Sequence, residues 1–313
     1  MLKLPVEHLI FSGGGHTVTI NYAITHALFN NNICNYDSIK SLWGSSAGAM
    51  TCLFLGLKLD IENELKPHII CKQWNKLFHK NIYEYFYNIY LYNGIFNKDT
   101  MKTMLNPLFE LKNLPIDTLT MKQFYEYNQY DIHIMTYDYT TSKEVIIHHE
   151  TYPDFLVLDA IYCSCSIPLV FQPFHWQDTI LLDPLLSFKM SYPISYCKEH
   201  LKQKYGWDEI ECQDRMIGVL NSNKDLCIKT KTKFTSCFEY LFCLLLNFLI
   251  SSFIQEHTKH EICIGQMTSP IIMYKTALSS KKRRKYYNDG YKLGELFAKQ
   301  FIVDNHNDNE QQI

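Results

Sequence analysis

Residues Ile39 to Met50 read "IKSLWGSSAGAM". An apolar run able to form a strand ends in Gly44-Ser45-Ser46-Ala47-Gly48, and Ala47 to Leu57 continues in a helix-compatible composition. A serine between glycines at a strand-to-helix turn has two readings. It is a small residue in a tight turn, or it is a nucleophile whose hydroxyl projects over the sheet edge. In the second case small neighbours avoid clashes, and the helix N-terminus aims N–H groups and its positive dipole end at the reacting oxygen. The G-x-S-x-G pattern is too short to decide alone.

Upstream, Leu9-Ile10-Phe11 stops at Ser12-Gly13-Gly14-Gly15, and Thr17 to Phe29 carries Ile20, Ala23, Ile24 and Leu28 at helical spacing. With Ile39 to Trp43 as a strand and Ala47 to Leu57 as a helix, the opening is a βαβα unit. Such a unit implies parallel strands in a layered α/β architecture. The glycine loop and the serine turn then end adjacent parallel strands and converge at one sheet edge, where α/β sites sit. Acyl transfer needs backbone N–H donors where negative charge develops, and Gly13-Gly14-Gly15 is the candidate oxyanion loop. A dinucleotide loop fits poorly, because Gly13-x-Gly15-x-x-Val18 lacks the third glycine. No Gly-Lys-Ser/Thr follows, which excludes a Walker loop. An ordinary α/β-hydrolase is disfavoured, since Ser46 follows only the second strand.

Beyond this unit, Asp60 to Leu119 is mostly helical in pattern and packs over the sheet. "YDIHIMTY" (Tyr130 to Tyr137) and "KEVIIHH" (Lys143 to His149) alternate as paired strands across a turn. Phe155 to Cys165 is a helix broken at Ser166-Ile167-Pro168, Leu169 to Phe174 is extended, and Thr179 to Leu182 is a short strand that delivers Asp183. Further strands are expected at Met216 to Leu220 and Ile262 to Gly265, with a long apolar helix near residues 234 to 256 and a terminal helix over Tyr287 to Phe301. No repeat or linker interrupts the chain, so residues 1–302 read as one domain and 303–313 as a frayed polar tail.

The chain has 313 residues, 47% hydrophobic and 20% charged, with a formal net charge of -2, which argues against disorder and against a nucleic-acid binder. Eleven cysteines without C-x-x-C pairs fit reduced thiols in a cytoplasmic setting. The first fifteen residues lack a secretory leader pattern. Phe238 to Ile254 is shorter than the roughly 20 apolar residues of a membrane span and contains Glu239 and Asn247, so a buried or capping helix is expected there. The basic run Lys281, Lys282, Arg283, Arg284, Lys285 reads as a solvated helix start or as a contact for anionic lipid headgroups. His148 and His149 on one strand would point to opposite faces, so solvent-side histidines are expected rather than a shared metal. His257 to Glu261 matches no zinc-protease order and reads as a polar helix end. No metal and no cofactor are expected.

Taken together, "FSGGG", "GSSAGAM", the block "AIYCSCSIPLVFQPF" (Ala160 to Phe174) and Asp183 behind "TILL" resemble the patatin-like phospholipase family over about residues 7 to 195. The resemblance implies a three-layer α/β sandwich with a central, mainly parallel sheet flanked by helices, with residues 196–302 as a helical C-terminal part. It further implies a lipid acyl hydrolase of the phospholipase A type, peripheral at membranes. Ser46 would be the nucleophile and Asp183 the base. The N–H groups of Gly14 and Gly15 would form the oxyanion hole, with Gly13 shaping that loop and Gly44 and Gly48 the elbow. Two positions depart from the family pattern: His16-Thr17-Val18 replaces a stretch with a basic residue and a glycine, and Asp183-Pro184-Leu185 replaces Asp-Gly-Gly. They raise a rival reading, a catalytically weakened lipid-binding or regulatory protein on the same fold.

Overall fold

The computed structural model describes residues 6–78, 81–221, 256–265 and 270–310. The apolar segment expected near 234–256 lies, all but its last residue, outside the described residues. In chain order the strands are β1 (His8–Phe11), β2 (Ser41–Ser45), β3 (Gly94–Phe96), β4 (Asp131–Asp138), β5 (Lys143–Ile147), β6 (Leu169–Phe171), β7 (Phe174–Trp176), β8 (Thr179–Leu182), β9 (Met216–Leu220) and β10 (Glu261–Cys263). The helices that matter to the site are α1 (Val18–Asn30), α2 (Ala47–Gly56), α3 (Ile82–Tyr92), α4 (Lys98–Leu111), α5 (Val157–Ser164), α6 (Ile194–Tyr205), α7 (Glu209–Asp214), α8 (Pro270–Ala277) and α9 (Ser280–Glu310).

One sheet runs in the order β10-β9-β1-β2-β4-β8-β7, with β5 also on β4. The strands from β10 to β4 are parallel, whereas β5, β7 and β8 pair antiparallel. β1, β2 and β9 are buried along their whole length, as expected of parallel strands covered on both faces. Successive residues alternate between the two cores. Leu9, Phe11, Leu42, Ile132 and Ile134 belong to the large core with α1, α2 and α5. Ile10, Trp43 and Met135 belong to a smaller core with Ile194, Cys197, Leu201 and Cys212 of α6 and α7. The expected three-layer α/β sandwich is therefore observed.

The topology at β4 positions everything that follows. β5 occupies one side of β4 from Ile134 to Asp138. The other side is shared: β2 pairs up to Ser45↔Met135, and β8 pairs at Leu182↔Tyr137 and Leu181↔Asp138 in the opposite direction. Two strands thus run toward each other along one edge, and their ends meet at the level of Thr136, whose hydroxyl donates to the Leu182 carbonyl at 2.8 Å.

Several expectations need correction. The region Asp60 to Leu119 also contains β3, which pairs parallel with β6 in a separate two-stranded sheet. The terminal helix begins at Ser280 and continues to Glu310, past the start of the polar run expected to fray. His257 to His260 lead into β10 rather than ending a helix. His148 and His149 are half-buried beside Asp131, because His148 packs on His133 and His149 stacks on Tyr125 with ring centroids 3.8 Å apart. Within the basic run, Arg283 is 1% exposed. Its guanidinium donates to the carbonyls of Ile69 at 2.7 Å, Thr276 at 2.9 Å and Cys71 at 2.6 Å, so it is unavailable to lipid. Lys281, Lys282, Arg284 and Lys285 are exposed. Among the described residues no helix is long and apolar enough to cross a membrane.

Candidate active site

Ser46 sits between β2 and α2 with φ 51 and ψ -113, a conformation costly for a residue with a Cβ. The surroundings hold it there. The Ser46 N–H donates to Ser164 Oγ at 2.9 Å. Its carbonyl accepts from the Met50 N–H at 3.1 Å and from Cys165 Sγ at 3.4 Å. The elbow also depends on missing side chains, since a Cβ on Gly48 would lie 2.2 Å from the Phe11 carbonyl oxygen and one on Gly44 would lie 2.5 Å from the Gly48 backbone. Only glycine lets α2 cross β1 and β2 this closely.

The glycine loop runs alongside. The Gly13 N–H donates to the Ser191 carbonyl at 2.9 Å, which fixes the loop and removes that donor from any role toward a substrate. Gly14 has φ 153 and Gly15 φ 58, both in the region that favours glycine. A Cβ on Gly13 would lie 3.5 Å from the Ser46 Cβ, so the loop and the elbow are neighbours.

Asp183 follows β8 and meets Ser46 head-on along β4. Its N–H donates to the Ser166 carbonyl at 3.1 Å. The proline after it fits: Asp183 is extended at φ -54 and ψ 134, and Pro184 opens a short 3-10 turn. The Leu185 N–H then donates to Asp183 Oδ1 at 2.9 Å. Oδ2 is buried without a completed hydrogen bond, and the Ser46 side chain lies close enough to favour the charged carboxylate. Burial dominates over Ser46 and Leu185, and pushes the Asp183 carboxyl up to about 7.

Ser46 forms part of the wall of a cavity of about 310 Å³ whose lining is otherwise mostly apolar, including Met50, Trp74, Phe96, Met104 and Phe171. His16 also faces it, 5% exposed, with neither ring nitrogen hydrogen-bonded. Burial and then Lys282 push its pKa down to about 4, so it is neutral at pH 7. Burial raises the Cys163 thiol to about 12 and the Cys165 thiol well above its usual range, which keeps both protonated. Outside the cavity, α3 exposes Tyr83, Phe86, Tyr87 and Tyr90, while its Tyr85 reaches the lining.

The structure brings Ser46, Asp183, Gly13, Gly14, Gly15, Gly44 and Gly48 together. Sequence reasoning missed Ser164 and Ser166. They end and follow α5, two residues apart, and hold Ser46 and Asp183 respectively. Their signal was the "CSCSIP" run itself, in which polar residues interrupt a buried helix end.

The family profile described as Patatin-like phospholipase matches residues 9–186, a stretch that contains all of these positions. The "Probable lipid hydrolase 463L" of Invertebrate iridescent virus 6 is 26% identical over 116 residues, 36% of this chain and 40% of that protein. The "Uncharacterized protein R571" of Acanthamoeba polyphaga mimivirus is 22% identical over 258 residues, 80% of this chain and 78% of its own length. Among solved structures, that of VipD from Legionella pneumophila matches with a TM-score of 0.49 at 13% identity, covering 95% of this chain and 68% of that one.

Proposed function

The chain belongs to the patatin-like phospholipase family, and from that premise we propose that it is a serine hydrolase of lipid acyl esters working through a Ser46–Asp183 dyad. Asp183 Oδ2 takes the Ser46 hydroxyl proton as Oγ attacks the ester carbonyl carbon. The resulting oxyanion is received by the Gly14 and Gly15 backbone N–H groups and the N-terminus of α2. Collapse breaks the acyl–oxygen bond, the departing alcohol or lysolipid takes the proton from Asp183, and an acyl-Ser46 ester remains. A water molecule, giving a proton to Asp183, then attacks the acyl carbon; the bond to Ser46 Oγ breaks, Oγ takes that proton back from Asp183, and the fatty acid leaves.

The observation that supports this reading most is the head-on approach of β2 and β8 along β4, which sets Ser46 beside a buried carboxylate with one oxygen anchored and one free. A carboxylate is normally a weak base for a serine hydroxyl, and a pKa near 7 narrows that mismatch. The apolar cavity at Ser46 is suited to an acyl chain. The aromatic face of α3 and the exposed Lys281, Lys282, Arg284 and Lys285 suit an anionic membrane surface.

The test is labelling with a fluorophosphonate probe followed by peptide mapping. The adduct is expected on Ser46 and is lost in Ser46→Ala. Release of fatty acid should be faster from vesicles than from soluble monomeric esters. A folded wild type that neither labels nor hydrolyses any lipid class would transfer the assignment to a non-catalytic lipid-binding protein.

A further inference from the structure

A second polar cluster lies at the sheet edge opposite Ser46 and takes no part in the proposed chemistry. The strand register builds it. His8, Ser41 and Asp131 stand side by side across β1, β2 and β4, and Ile10, Trp43 and His133 form the next row on the same face. Trp43 and His133 stack with ring centroids 3.6 Å apart. From above, α6 lowers His200 and Lys204, one turn apart, onto Asp131: His200 Nε2 is 3.2 Å and Lys204 Nζ 2.8 Å from Oδ2. His148, just past β5, brings its ring to 4.6 Å from that of His133.

The hydrogen bonding of this cluster is incomplete. Asp131 is 5% and His133 1% exposed. His133 Nε2 lies 3.1 Å from Asp131 Oδ1, a separation at which an aligned pair would bond. Yet Asp131 Oδ1, His133 Nε2 and His200 Nε2 are all buried without an aligned partner. Buried polar atoms are normally satisfied, and here two imidazole nitrogens crowd one carboxylate at 3.1 and 3.2 Å without the alignment of a good hydrogen bond. One donor atom from each of Asp131, His133 and His148 lies within 4.8 Å of the others.

We propose that Asp131, His133 and His148 form a binding site for a divalent transition-metal ion of the zinc type, with His200, on the other carboxylate oxygen of Asp131, as an outer contact. Imidazole nitrogens with one carboxylate oxygen are a zinc donor set, and bonds of about 2.0–2.1 Å would place the donors roughly 3.3 Å apart, a contraction reached by side-chain rotation. Lys204 holds Asp131 Oδ2 and so orients Oδ1, an outer contact of the kind that positions a metal carboxylate. The ion would join β4 and the end of β5 directly and α6, distant in the chain, through the contacts on Asp131 Oδ2, and would act by stabilising the fold. This inference does not depend on the hydrolase reading.

The experiment is calorimetric titration of the chelator-treated full chain with Zn²⁺, with Co²⁺ as a spectroscopic probe of geometry. One equivalent is expected to bind, Co²⁺ is expected to give tetrahedral d–d absorption, and Zn²⁺ at a hundredfold excess over Kd is expected to raise the melting temperature by about 5 °C. His148→Gln should weaken binding at least about 100-fold, and the exposed His175→Gln should leave it unchanged. If His148→Gln fails to fold by near-UV circular dichroism, His200→Gln at the rim of the cluster replaces it. Absence of saturable Zn²⁺ binding by the wild type, or equal affinity in the folded His148 or His200 variant, overturns the proposal and leaves a metal-free network of imidazoles around one carboxylate in its place.

Discussion

The Ser46 backbone N–H donates to Ser164 Oγ at 2.9 Å across 118 residues of sequence. This bond ties the strained turn to the end of α5, and two residues later the Ser166 carbonyl holds Asp183. One helix end thus positions both proposed catalytic groups. Ser164→Ala is expected to loosen the elbow while leaving Ser46 in place. A lost hydrogen bond of about 1–1.5 kcal/mol corresponds to roughly a tenfold fall in rate. The rate of fluorophosphonate labelling checks this, and loss of all labelling would indicate a larger collapse of the turn.

Asp183 sets the acid limb. As a base it must be ionised, so lipid hydrolysis should rise with pH through about 7, the value to which burial pushes this carboxyl. A pH–rate profile of kcat/KM with a limb near 4 instead would speak against Asp183 as the titrating base.

The same burial makes a stability prediction. The folded-state pKa lies above the ordinary carboxyl value of about 3.9, so the folded chain holds the proton more tightly. The contribution of Asp183 to stability is therefore full below about pH 4 and is lost as pH rises through about 7. Asp183→Asn should melt higher than wild type at pH 8 by the equivalent of a few kcal/mol, with the gap closing by pH 4, while hydrolysis is almost abolished. Thermal denaturation at both pH values decides it.

Gly48→Ala places a methyl group 2.2 Å from the Phe11 carbonyl oxygen. Backbone cannot move aside cheaply, and a loss of about 2–4 kcal/mol is expected, together with failure of Ser46 to label. Urea denaturation followed by labelling of the folded fraction separates the two effects.

Val170 lines the cavity from β6. Val170→Trp should fill part of it and shift the preference toward short acyl chains, with kcat/KM for long-chain esters falling about tenfold or more relative to short ones. An unchanged chain-length profile would mean that the acyl group lies elsewhere.

The basic run should divide by burial. Arg283→Met leaves several buried carbonyls without their donor and is expected to cost about 3–5 kcal/mol. Charge reversal at Lys281, Lys282, Arg284 and Lys285, all exposed, should leave melting unchanged and lower binding to vesicles containing anionic lipid. Sedimentation with such vesicles at low and high salt measures it.

Much of the fold was legible in the sequence because its signals are local. The order strand, glycine loop, helix, strand, elbow and helix follows from short apolar runs, from glycines where the backbone needs positive φ, and from small residues where α2 crosses Phe11. Thr179 to Leu182 as the strand before Asp183 is legible for the same reason. What local pattern does not carry is partnership between distant segments. The antiparallel entry of β8 against the end of β2, the support of Ser46 by Ser164, the burial of Arg283 under carbonyls more than 200 residues away, and the gathering of His133, His148 and His200 around Asp131 all depend on which strand faces which and which helix covers them. β5 ends at Ile147, so the strand alternation that the sequence suggests for His148 and His149 does not extend to them. Tertiary packing turns them from solvent-side residues into neighbours of a buried carboxylate, His148 against His133 and His149 stacked on Tyr125, because register and layer packing bring together side chains that no spacing along the chain relates.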